Sequence, residues 1–146
     1  MISGVKVIDL KKITDERGMI FHMLKNTDEH FQKFGEIYFS CTHPGVVKAW
    51  HLHKEMTLNY VCIEGKVKYV LYDDREKSKT KGKVQELILT PENYCLVTVP
   101  PLIWNGFKGE GARQSIVANC ATLPHREDEI IRKPALDKSI PYNWNK

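Results

Sequence analysis

The sequence lacks several features that would place the protein in or across a membrane. No apolar run reaches the roughly 18 residues that a membrane-spanning helix needs. The N-terminal stretch shows neither the apolar core nor the small-residue cleavage site of a secretory signal. The four widely spaced cysteines form no C-x-x-C pair, which favours free thiols over a disulfide or metal framework. These absences predict a cytoplasmic protein with no membrane partner.

Clustered basic charge is also missing. The formal net charge is +4, and the lysines are scattered along the 146 residues rather than grouped. Nucleic-acid binding usually requires a basic patch, so no nucleic-acid partner is expected, whereas a mild positive excess suits a small anionic ligand. The length fits one domain, expected over residues 1–146.

Helical periodicity is scarce, and short β-type runs separated by turns dominate the chain. Such runs are predicted at 5–10, 36–40, 46–51, 57–63, 66–72, 84–89, 94–99 and 114–119. Pairs such as Pro44-Gly45 mark the turns between them. Many short strands at near-regular spacing predict an all-β sandwich or barrel. Short helical turns are predicted at 28–34 and 128–132, and residues 125–146 are expected to form a C-terminal arm over the barrel.

Two histidines give the sequence its densest chemical signal. His51 and His53 lie two residues apart on a predicted strand, so they share one face, while Lys48, Trp50 and Leu52 are expected on the other. Such a pair can bind a metal, or one histidine can act as a general base beside a neighbour that tunes it. A buried structural histidine beside an exposed one would give the same pattern.

The glycines around this pair match the frame of the first cupin motif. In metal-binding cupins a glutamate follows the second histidine and a third histidine comes from a later strand. Here Thr57 and Leu58 stand at the first of these places, and Asn105 is the polar residue of the later strand. Two imidazoles and an amide form a weak ligand set for a transition metal, so neither a metal nor another cofactor is expected.

A wider resemblance rests on five segments in a fixed order. They are Asp15-Glu16-Arg17-Gly18, Gly45 to His51, Tyr72 to Arg75 followed by Ser78, Thr80 and Gly82, Val99 to Phe107, and Pro134-Ala135-Leu136. In this order they resemble the dTDP-4-dehydrorhamnose 3,5-epimerases over most of the chain. The resemblance implies a cupin-type jelly-roll β-barrel that forms a homodimer by exchanging N-terminal strands and acts on a nucleotide sugar without a metal.

The resemblance also implies roles for individual residues. His51 matches the histidine base that removes a proton beside the ketone of a dTDP-4-keto-6-deoxyhexose. Arg17 and Lys48 match groups that hold the diphosphate, with Arg17 reaching from the partner subunit. Asn59 stands where the family has an enolate-stabilising lysine, and Ala118 stands where it has a tyrosine acid.

Because alanine cannot donate a proton, the acid must come from elsewhere. The candidates are His53, Tyr60 and Tyr38. The pocket is expected to be lined by His51, His53, Asn59, Tyr60, Trp104 and Asn105, with Tyr38 also contacting the substrate. His22, His30, His43 and His125 are expected to be structural or exposed.

Two alternatives to an epimerase remain open. His51-Leu52-His53-Lys54 and Trp104 also resemble the sugar 3,4-ketoisomerases of the same fold, in which a proton moves between neighbouring atoms on one face. A chain without the usual acid can also be a nucleotide-sugar-binding module without turnover.

Overall fold

The computed structural model describes residues 1–145, and almost all of its regular structure is antiparallel β-sheet. The strands are β1 (Lys6–Asp9), β2 (Lys12–Asp15), β3 (Gly18–Phe21), β4 (Glu36–Thr42), β5 (Val47–His53), β6 (Leu58–Glu64), β7 (Val67–Tyr72), β8 (Val84–Leu89), β9 (Cys95–Val99), β10 (Trp104–Gly109), β11 (Ser115–Ala121) and β12 (Ile130–Arg132). One 3₁₀ turn, Glu127–Glu129, precedes β12.

The strands form two five-stranded sheets and one separate hairpin. The first sheet has the order β1-β9-β6-β11-β4, the second has the order β12-β5-β10-β7-β8, and β2 pairs with β3. Packed face to face, the two sheets make the cupin-type jelly roll, which confirms the all-β prediction.

The two predicted helical segments are corrected by the structure. Residues 28–34 form turns and irregular backbone, since so short a stretch cannot repay the cost of helix nucleation. Residues 130–132 form strand β12 instead of a helix, because their backbone pairs with β5 in the register Ile130 to His53 and Arg132 to His51.

The interior between the two sheets is apolar and rich in aromatic rings. Tyr69 and Phe107 stack with their ring centroids 4.3 Å apart, and Tyr60 meets Phe107 edge-on at 4.9 Å. These rings belong to one buried cluster that also includes Leu58, Leu71 and other strand residues with inward-facing side chains. This cluster fills one part of the barrel and leaves the remaining interior open as a pocket.

Chain segments outside the barrel cover the outer faces of both sheets. Trp50 of β5 is 1% exposed, donates from Nε1 to the carbonyl oxygen of Ala135 at 3.2 Å, and packs against Trp144 at 5.0 Å. The residues after β12 therefore cover the outer face of the second sheet and form the predicted C-terminal arm. On the first sheet, Phe21 packs edge-on against Tyr94 at 5.0 Å.

Two glycines with the same backbone angle offer a test of packing in the turns. Gly45 and Gly65 both have φ = +74°, a region that costs an L-residue about 1 kcal/mol. A Cβ on Gly65 would lie 2.8 Å from Cα of Ser115, whereas a Cβ on Gly45 would meet nothing within 4 Å. We expect Gly45→Ala to lower the free energy of unfolding by about 1 kcal/mol and Gly65→Ala by about 1–3 kcal/mol more, because the added clash forces the hairpins apart. Urea unfolding measures both, and equal losses would contradict the assigned packing.

All four cysteines are free thiols, as predicted. Cys62 and Cys95 are buried, Cys120 is half-buried and Cys41 is exposed. Within residues 1–145, no helix is long and apolar enough to span a membrane.

Candidate active site

A cavity of about 470 Å³ opens between the two sheets. Its lining combines histidines, tyrosines and cations with a small apolar floor: Glu36, Tyr38, Ser40, Lys48, His51, His53, Met56, Tyr60, Asn105, Phe107, His125, Ile130 and Arg132. The first sheet supplies Tyr38 and Tyr60, and the second sheet supplies both histidines of β5. The histidines and the tyrosines therefore stand on opposite walls of one cavity.

Strand β5 places His51, His53 and Lys48 in this cavity. The first two follow the predicted alternation, but Lys48 was expected on the opposite face. The pairing of β5 with β10 shifts register between Asn105 and Phe107. Asn105 pairs with His51 and Phe107 pairs with Lys48, so β5 carries one extra residue there. This irregularity brings Lys48 to the cavity, where its Nζ donates to Ser40 Oγ at 3.0 Å and to the carbonyl oxygen of Cys41.

His51 is half-buried, and the cationic side chains of Arg132 and Lys48 lie near it. Its backbone carbonyl accepts a hydrogen bond from Asn105 Nδ2 at 3.0 Å, and Arg132 is its partner across the β5–β12 ladder. Burial lowers the pKa of His51 below its ordinary 6.5, and the charge of Arg132 lowers that pKa further. The ring is consequently neutral near pH 7, which leaves it able to accept a proton.

His53 differs from His51 because it has a carboxylate partner. Its Nδ1 is hydrogen-bonded to Oε1 of Glu129, whose side chain is 1% exposed. The other carboxylate oxygen of Glu129 accepts from the backbone N–H groups of Glu55 at 3.0 Å and Met56 at 3.1 Å. Burial alone would raise the pKa of Glu129, but the hydrogen bonds from His53 and the two N–H groups outweigh it and hold that pKa below its ordinary value. Glu129 is therefore ionised at neutral pH.

The opposite wall contains a short hydrogen-bonded network. The hydroxyls of Tyr38 and Tyr60 are 2.9 Å apart, and Asn119 Nδ2 donates to the Tyr38 hydroxyl at 3.0 Å. Burial raises the pKa of Tyr60 well above its ordinary value, so Tyr60 keeps its proton and can donate it to Tyr38. Either hydroxyl of this pair can donate; when Tyr60 donates, Tyr38 accepts two hydrogen bonds and its own O–H is free for another partner.

Three predicted site positions lie outside this cavity because they occupy the other face of their strands. Asn59 donates to the carbonyl oxygen of Cys120 at 2.9 Å and accepts from Thr98 Oγ1 at 2.8 Å. Trp104 packs in the outer cluster under the C-terminal arm, with Lys133 Nζ 4.7 Å from its ring centroid. Ala118 belongs to the outer cluster of the first sheet, so a tyrosine there could not reach the cavity.

Arg17 lies at the turn of the β2–β3 hairpin, away from the cavity of its own chain. Its side chain is 82% exposed and pairs with Asp15 at 2.7 Å. The hairpin also exposes three large apolar side chains, Ile13, Met19 and Ile20, each more than half exposed.

Several cavity residues were missed by sequence reasoning. His125 is exposed, as expected, but it also lines the cavity, as do Arg132, Glu36 and Ser40. Glu129 gave no local signal, because it lies in a charged stretch that resembles solvated surface. Within residues 1–145, no three His, Cys, Asp or Glu side chains are grouped as a metal site.

The two packed antiparallel sheets and the polar cavity between them define a cupin-type jelly-roll protein. Residues 1–145 match the family model described as dTDP-4-dehydrorhamnose 3,5-epimerase. The chain therefore belongs to the dTDP-4-dehydrorhamnose 3,5-epimerase family, as its sequence resemblance predicted.

Three relatives illustrate the match. A crystal structure described as a dTDP sugar isomerase from Desulfovibrio desulfuricans G20 superimposes with a TM-score of 0.96 at 41% identity, covering 99% of this chain and 92% of that chain. The spore coat polysaccharide biosynthesis protein SpsL of Bacillus subtilis is 32% identical, covering 99% of this chain and 97% of its own. The "Probable low-salt glycan biosynthesis epimerase Agl13" of Haloferax volcanii is 34% identical, covering 99% and 95%.

Proposed function

We propose that the protein is a metal-independent epimerase of a nucleotide-linked 4-keto-6-deoxyhexose, carried by dTDP or a similar nucleotide. The observation that carries this proposal is the placement of imidazoles on one wall of the cavity and phenols on the other. Inversion at a carbon requires a proton to leave from one face and a proton to arrive at the opposite face. Two opposed proton-transfer groups meet this requirement within one pocket.

In the proposed reaction, His51 accepts the proton. The ketone acidifies the neighbouring C–H bond, and when this bond breaks its proton goes to His51 while its electron pair forms an enolate at the ketone oxygen. The lowered pKa of His51 supports this role, because the ring is neutral and ready as a base.

On the other wall, Tyr38 donates the returning proton. Asn119 donates to the Tyr38 hydroxyl, and Tyr60 donates to it in the reacting state, so two hydrogen bonds stabilise the phenolate that forms when the proton leaves. The enolate electron pair forms the new C–H bond with this proton and the ketone is restored. His51 then releases its proton to water in the open cavity, and water reprotonates Tyr38. This assigns the acid to Tyr38 with Tyr60 as its supporting donor, and neither role needs a side chain at position 118.

The diphosphate would lie near the cations at the mouth of the cavity. Lys48 and Arg132 both line the cavity, and Arg132 is held by a 2.7 Å ion pair with Glu127.

We further propose that a second copy of the chain covers the exposed apolar side chains of the β2–β3 hairpin, because an isolated two-stranded ribbon is only marginally stable. This pairing would bring Arg17 to the partner's cavity, and sedimentation equilibrium showing only monomers at micromolar concentration would exclude it.

One experiment tests the function. The protein is incubated in deuterated water with dTDP-4-keto-6-deoxyglucose, and C3 and C5 are followed by NMR. Deuterium uptake with inversion is the expected result. A displaced carbonyl would indicate the ketoisomerase, which the pairing of two histidines on one wall also favours, and binding without uptake would indicate a binding module. Elemental analysis of the active protein checks metal independence, and a stoichiometric transition metal would contradict it.

A further inference from the structure

The carboxylate of Glu129 is fully buried, and three hydrogen-bond donors converge on it. Such a group is costly to bury unless each oxygen is satisfied. One oxygen faces two backbone N–H groups at the start of the β5–β6 connection, and the other faces His53. An ionised carboxylate only accepts, so the proton on this side of the imidazole must be on Nδ1.

Fixing the proton on Nδ1 determines what His53 offers to the cavity. The His53 side chain is 10% exposed and lines the cavity. Glu129 covers its Nδ1 edge, so the Nε2 edge is the one that faces the cavity. In the neutral ring this edge carries the lone pair of Nε2. In its neutral form, His53 therefore presents a proton acceptor whose tautomer and orientation are set by Glu129.

We infer that Glu129 is a positioning residue that makes His53 a second base of the site, serving one of the two carbons that flank the ketone while His51 serves the other. This inference rests on the proposed epimerase function. A 4-keto sugar has two acidified carbons, and two acceptors stand side by side on one wall of this cavity.

The step at His53 is a simple proton transfer. The C–H bond of the sugar breaks, its proton bonds to Nε2, and the electron pair forms the enolate at the ketone oxygen. The imidazolium that results is paired with the Glu129 carboxylate, which stabilises the charge as it forms. The proton returns to solvent when the ring is neutralised.

The variant Glu129→Gln separates positioning from folding. The amide oxygen must face the N–H groups of Glu55 and Met56, so the amide NH₂ faces His53 and donates to Nδ1. The ring proton is thereby moved to Nε2, and the cavity loses its acceptor although the side chain keeps its shape. Glu55→Gln is the matched control, because that carboxylate lies on the same connection but pairs with Arg126.

Two measurements test the positioning role of Glu129 and the role of His53 as a base. Long-range ¹H–¹⁵N NMR of ¹⁵N-histidine protein should show the His53 proton on Nδ1 in the wild type and in E55Q, and on Nε2 in E129Q. In deuterated water, E129Q should slow deuterium uptake at one carbon about a hundredfold and leave the other carbon unchanged. His53→Asn should slow uptake at the same carbon.

The outcomes that overturn the inference are specific. An unchanged tautomer in E129Q would remove the positioning role, and a changed tautomer with normal uptake at both carbons would remove the second base. Equal slowing at both carbons would show that His53 does not serve one of them alone. If the wild type exchanges neither carbon, the proposed function fails, while the tautomer measurement still tests Glu129.

Discussion

Replacing His51 by asparagine is expected to slow deuterium uptake at one of the two carbons beside the ketone about a thousandfold. Asparagine keeps a polar side chain of similar reach, but its amide cannot accept a proton near neutral pH. The remaining uptake should come from His53, so the double variant H51N/H53N should lose uptake at both carbons. The measurement is the rate of deuterium uptake at C3 and C5 by NMR.

His43→Asn provides the control for this change. His43 is exposed in the turn after β4 and does not line the cavity, so the variant should exchange both carbons at the wild-type rate. Wild-type uptake at both carbons in H51N would show that His51 is not a base of this site.

Replacing Tyr38 by phenylalanine should separate exchange from inversion. The histidines remain, so deuterium still enters from their face, but the donor on the opposite face is gone. We expect the ratio of inverted product to exchanged substrate to fall about a hundredfold, with little change in substrate binding. Tyr60→Phe should lower this ratio about tenfold, because it removes one of the two hydrogen bonds that stabilise the Tyr38 phenolate.

Tyr69→Phe is the matched control for the tyrosine variants. The Tyr69 hydroxyl is buried without a hydrogen-bond partner in the described structure, and its loss should alter neither exchange nor inversion. A Y38F protein that inverts normally would transfer the acid role to another group and would contradict the assignment of the tyrosine wall.

Much of the barrel was predictable from the sequence because alternation and turn residues are local signals. The predicted run at 84–89 coincides with β8, and the other seven predicted runs lie within two residues of their strands. Strand β10 was missed because glycines interrupt it and two prolines precede it. Gly106 is required there, since a Cβ would clash with the Ala49 side chain across the ladder.

The site was predictable where its residues share a face of one strand, as His51 and His53 do. Asn59 and Ala118 were assigned from the resemblance, and the structure places both side chains outside the cavity, because successive side chains of a strand alternate between its two faces. Glu129 could not be found this way. It lies 76 residues from His53 in sequence, and only the pairing of β12 with β5 brings the two together.

Strand β12 is three residues long and is the last strand within residues 1–145. Once residue 121 has been synthesised, every strand of the two five-stranded sheets except β12 is present. The two histidines and the two tyrosines of the cavity are present as well. The carboxylate behind His53 and the guanidinium across from His51 are added later, at residues 129 and 132. A nascent chain therefore has a nearly finished barrel before it has a finished pocket, because the last wall of the pocket forms only when β12 pairs with the edge of the second sheet.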